Sequence, residues 1–134
     1  MRYMLLIYSS ETDESKLTAE DFAAMRAAHW SVMDETSRLG IFRGAEPLRP
    51  TRTATTVRMH GGKAVITDGP FAETKEQLGG YYILDCKDLD EAIAWAAKIP
   101  TGCKGANGSV EIRPLEPVPQ PSDPEFQALR PQKS

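Results

Sequence analysis

Two stretches of this 134-residue chain are oily on both faces of an extended backbone, and that limits the possible folds more than any other feature. In Tyr3-Met4-Leu5-Leu6-Ile7-Tyr8, strand geometry sends Tyr3, Leu5 and Ile7 one way and Met4, Leu6 and Tyr8 the other. The segment Gly80–Cys86, with Tyr81-Tyr82-Ile83-Leu84 at its centre, repeats the pattern. Strands of this kind belong in the middle of a sheet whose two surfaces are both covered. The sequence offers two helices as cover. Thr18 caps the first, Glu20 and Asp21 suit the positive end of its dipole, and Gly40 stops it. Phe22, Met25, Val32, Met33 and Leu39 fall on one side of that helix. The second runs over Leu89–Lys98, capped by Asp88 and ended by Pro100. Two helices can shield one sheet surface, which leaves the other as a larger apolar patch than monomers usually tolerate. A second copy is the simplest cover, so the pattern predicts a homodimer packed sheet to sheet with two-fold symmetry.

Further strands are expected at Ile41–Glu46, at Thr53–Met59 and Lys63–Thr67 joined as a hairpin by Gly61-Gly62, and at Ser109–Leu115. The order of strand, helix, several strands, helix and strand predicts an α+β ferredoxin-like sandwich over residues 1–116. Residues 117–134 hold five of the ten prolines and should run extended and solvated, with Phe126 and Leu129 as the available anchors. That tail is either mobile or an arm on a neighbouring subunit.

Charge and composition exclude several classes. With 16 Lys and Arg against 19 Asp and Glu, the chain carries −3 and has no electrostatic footprint for nucleic acid. No run approaches the roughly 20 apolar residues that cross a bilayer, and the beginning lacks the features of an export signal, so a cytoplasmic location is expected. Cys86 and Cys103, with two histidines, do not make a disulfide framework or a zinc site, so no metal and no cofactor is expected. Cys86 reads as a buried, inert thiol. The glycine-rich loop Gly102–Gly108 does not lead from a strand into a helix, so it is not a phosphate cradle.

His29 is the residue most informative about chemistry. At about 100° per residue it lies about 20° from Phe22 on the helical wheel, in the middle of the apolar stripe. It is either a core histidine with satisfied nitrogens or a half-desolvated imidazole on a pocket wall, able to move a proton near neutral pH. Asp68, at the Asp68-Gly69-Pro70 turn, is its candidate carboxylate partner, although Asp is also a common turn former. Phe71 should be held inward by the rigid turn as a packing plug. Lys75 could hold an anionic ligand or sit in a solvated loop, and Tyr82 and Tyr8 belong to core, interface or pocket. Lys75, Tyr82 and Phe71 are the candidate substrate-binding residues. Gly79-Gly80 allows a bulge or a close backbone approach, and His60 reads as a solvated turn residue.

The run from Val65 to Ile83, through Asp68-Gly69-Pro70-Phe71-Ala72-Glu73-Thr74-Lys75-Glu76 and Gly79-Gly80-Tyr81-Tyr82, resembles the signature of the YCII-related proteins in their DGPF subgroup. Tyr3–Tyr8, Gly44–Leu48, Leu89–Ala92 and Val110–Pro114 are similar to the same family, so the likeness spans residues 2–115. The resemblance implies a ferredoxin-like subunit in a dimeric α/β barrel. It also implies a cleft between helix and sheet holding a His–Asp catalytic pair, with His29 matching the helix histidine and Asp68 the natural acid. Family association further implies a link to extracytoplasmic-function sigma factors. Two functions follow as expectations: a cofactor-independent acid–base enzyme of the lyase or isomerase kind acting on a small molecule, or a non-catalytic binding or regulatory module using the same cleft.

Overall fold

The computed structural model describes residues 1–11, 16–102 and 108–131. Cys103 and most of the Gly102–Gly108 loop lie outside the described residues. Strand β1 spans Arg2–Ser9, helix α1 Ala19–Arg38, strand β2 Phe42–Pro47, strand β3 Thr55–His60, strand β4 Lys63–Asp68 and strand β5 Gln77–Asp85. Helix α2 spans Leu89–Ala96, strand β6 Gly108–Pro114 and helix α3 Pro124–Leu129.

β1, β2, β5 and β6 form one antiparallel sheet in the order β2-β5-β1-β6. β1 and β2 flank β5 and are joined through α1, while β5 and β6 flank β1 and are joined through α2. Two interlocked split β-α-β units of this kind are consistent with a ferredoxin-like α+β fold. β3 and β4 form a separate two-stranded sheet, inserted between the two units.

The helices cover most of the inner sheet surface. Tyr3, Leu5, Ile7, Tyr82 and Leu84 pack in one buried cluster with Val32 of α1, Ala92 and Trp95 of α2, and Ile99. Thr36 joins this layer because its hydroxyl donates to the Val32 carbonyl at 2.7 Å, inside its own helix. The outer surface carries Met4, Leu6, Tyr8, Tyr81 and Ile83, all half-buried in the single chain. Its margins are charged, since register sets Glu46 opposite Tyr81, Glu111 opposite Leu6 and Arg113 opposite Met4.

Capping follows the sequence closely. The Asp21 amide donates to the Thr18 hydroxyl at 3.1 Å and the Thr18 amide to the Asp21 carboxylate at 2.8 Å, a reciprocal capping box. The Glu91 amide donates to the Asp88 side chain at 2.9 Å. Leu39, expected on the apolar stripe of α1, is exposed instead: the helix ends at Arg38, and Gly40 turns the chain at φ +74°. The tail is also not wholly extended. Pro124 opens the short α3, a position where proline's missing N–H costs nothing; Phe126 is half-buried there and Leu129 exposed. Among the described residues no helix is long and apolar enough to cross a membrane.

The candidate functional site

A cavity of about 460 Å³ opens between α1 and the β2–β5–β1 side of the sheet. Three sequence features shape it. The apolar stripe of α1 supplies Phe22, Met25, His29 and Met33 as its roof. Ile7 and Tyr82 come from the inner surface of the sheet, and Ala45, Pro47 and Leu48 from β2 and the connection that follows. The third feature is the Gly79-Gly80 pair. Ile7 pairs with Gly80 and Tyr8 with Leu78, so Gly79 is the extra residue of a β-bulge beside the cavity. A Cβ on Gly80 would lie 2.9 Å from the Glu46 carbonyl oxygen, so close approach of β2 to β5 requires glycine there. Both expected uses of the pair are therefore present.

The rim is fixed by Glu11. Its carboxylate accepts from the Thr51 amide at 2.9 Å and from the Thr51 hydroxyl at 2.7 Å, and its own amide donates to the Gln77 side-chain oxygen at 3.0 Å. The segment after β1, the turn before β3 and the start of β5 are thus tied at one point. Sequence reasoning missed Glu11, because its partners are 40 and 66 residues away.

His29 sits on the cavity wall, half-buried, with Nδ1 2.8 Å from the Tyr82 hydroxyl and the two rings stacked at 5.9 Å. The Tyr82 hydroxyl also donates toward the His29 carbonyl oxygen at 3.4 Å. The hydrogens are assigned from this pair of contacts: Nδ1–H donates to the phenol oxygen, whose own hydrogen turns to the carbonyl. Nε2 then carries the lone pair, and it has no hydrogen-bond partner among the described residues. Burial holds the imidazole below its ordinary pKa of 6.5, so it is neutral at pH 7. Burial also pushes the Tyr82 phenol up to about 12, which keeps its proton in place.

The other sequence candidates lie elsewhere. Asp68 ends β4 and, like Phe71 and Lys75, is exposed and absent from the cavity lining, so one chain does not bring Asp68 to His29. Phe71 is not an inward plug but is 75% exposed. The rigid turn does direct it, but the turn follows a strand whose residues are all exposed. Its backbone is held by the hairpin: the Gly69 amide donates to the Ala54 carbonyl at 2.8 Å, Thr56 to the Gly69 carbonyl at 2.7 Å and Arg58 to the Phe71 carbonyl at 2.9 Å. Tyr82 alone of the three expected binding residues lines the cavity. Cys86 is buried, and desolvation pushes its thiol up to about 11, so it stays protonated.

Comparison with known proteins gives the same frame. The model of the YCII-related domain matches residues 1–117. The chain belongs to the YCII-related family. A protein of Rhizobium meliloti (strain 1021), named only as uncharacterized, is 36% identical over 115 residues, covering 86% of this chain and 92% of the relative. The YCII-related domain therefore takes in the sheet, both cavity walls and the hairpin, and ends before α3.

Proposed function

We propose that this YCII-related domain is a small-molecule acid–base catalyst that needs no cofactor, with His29 moving the proton and Tyr82 holding its ring. One observation carries the reading: a neutral imidazole, tied at Nδ1 by a buried phenol, stands on the wall of a mainly apolar cavity of ligand size. Nε2 acts as the base toward a bound molecule. Charge forming on the ring is stabilised by donation from Nδ1 to the Tyr82 oxygen. In this scheme Tyr82 takes the orienting place expected of an aspartate. The lining favours a compact, largely apolar or aromatic molecule with an acidic C–H or O–H beside a carbonyl. The Asp68-Gly69-Pro70-Phe71 segment supports placing the chain in the DGPF subgroup, and the apolar outer sheet surface supports a homodimer through that face.

A second reading is a non-catalytic ligand-binding module. It is favoured by the absence of any carboxylate bonded to His29 among the described residues. A panel of small aromatic and alicyclic carbonyl compounds separates the two. The catalytic reading expects turnover that falls by about 10²-fold or more in His29→Ala. Equal turnover in wild type and His29→Ala removes His29 from the chemistry, and saturable binding without turnover supports the module.

A further inference from the structure

We propose that Arg26 anchors a carboxylate at the opening of the cavity, so that the molecule taken there is a small monocarboxylic acid with an apolar body. The proposal rests on the reading of this cavity as a small-molecule site and adds the class of its ligand. Arg26 lines the cavity from α1, and His29 follows it by three residues. Side chains so spaced are neighbours on a helix surface, with Cβ atoms about 5–6 Å apart. Arg26 is exposed, so its guanidinium stands at the opening, while the His29 ring is half-buried on the wall. An anion held at the opening leaves the rest of the ligand among Phe22, Met25 and Ile7, beside the imidazole.

Charge singles Arg26 out. Among the described residues it is the one cation in the cavity lining, since His29 is neutral at pH 7. Elsewhere Arg38 pairs with Asp34, Arg43 with Asp85 and Lys98 with Glu35, and Arg58 donates to the Phe71 carbonyl. Arg26 has no hydrogen-bond or ion partner among the described residues, so its N–H donors face water or a ligand. Two acidic residues share the lining. Both oxygens of the Glu11 carboxylate are held by Thr51. Register puts Ala45 beside Tyr82 on the inner surface and Glu46 beside Tyr81 on the outer, so Glu46 meets the cavity through its backbone beside Gly80. The Glu11 carboxylate on the same rim disfavours a doubly charged phosphate more than a single carboxylate, which also fits the planar fork of a guanidinium.

Calorimetric titration of the full chain at pH 7 with 3-phenylpropanoate and its neutral isostere 3-phenylpropanamide tests the anchor without needing turnover. Wild type should bind the carboxylate about fivefold more tightly than the amide. Raising salt from about 50 to about 500 mM should shrink that preference, a readout that stands even if a variant unfolds. Arg26→Gln should erase the preference with little change in affinity for the amide, whereas His29→Ala, which removes the base, should keep it. Equal affinity for the two compounds in wild type, an undiminished preference in folded Arg26→Gln, or its loss in folded His29→Ala would overturn the anchor and leave the cavity standing as a ligand site. Binding of neither compound would overturn the anchor together with the reading of the cavity on which it rests.

Discussion

His29 could be located from sequence because helical spacing alone set it among Phe22, Met25 and Met33. Its partner could not, because Tyr82 is 53 residues away and read equally well as core. The pairing has a measurable consequence. With Nδ1–H donating to the phenol, Tyr82 favours the protonated ring, so Tyr82→Phe should lower the His29 titration midpoint further; a rise would mean the phenol donates instead. The same variant should cost about 1 kcal/mol of stability by urea unfolding. Stability should also follow His29 with pH. Its folded pKa is depressed, so the stabilising effect of a neutral ring is complete above the ordinary value of 6.5 and is lost as pH falls through the folded value. Melting between pH 5 and 7.5 should slope less steeply in His29→Gln than in wild type, and parallel slopes would contradict the depressed pKa.

At the scale of elements, strands and caps were readable because alternation and cap chemistry are local. Asp88 and Thr18 each cap the helix they precede, and β1 and β5 sit at the centre of the sheet as their two-faced pattern requires. The hairpin turn was readable for the same reason. Where the hairpin would lie was not, since alternation shows which side chains share a face but not whether a layer meets it; Phe71 was misplaced on that account. The bulge at Gly79 and the tight crossing at Gly80 give a direct check on the element that shapes the cavity. Gly80→Ala should destabilise by about 1–3 kcal/mol through overpacking against β2 backbone, with Gly79→Ala costing less because its nearest contact is 3.9 Å. Equal costs in urea unfolding would show that β2 can move away.

The whole molecule uses its sheet twice: α1 and α2 cover most of one surface, and α1 stands off far enough at one end to leave room for a ligand. Leu84→Ala, deep in the sealed part, should cost about 2–5 kcal/mol in thermal or urea unfolding without altering ligand preference. In the proposed chemistry the cavity presents a neutral, phenol-held imidazole to whatever binds there. Nitrogen-detected NMR of His29, with and without a small aromatic ketone such as acetophenone, tests it most directly. A proton on Nδ1, a midpoint below 6.5 and a ketone-dependent shift at Nε2 are expected. A midpoint at or above 6.5, with Nε2 unmoved by the ketone, would contradict it.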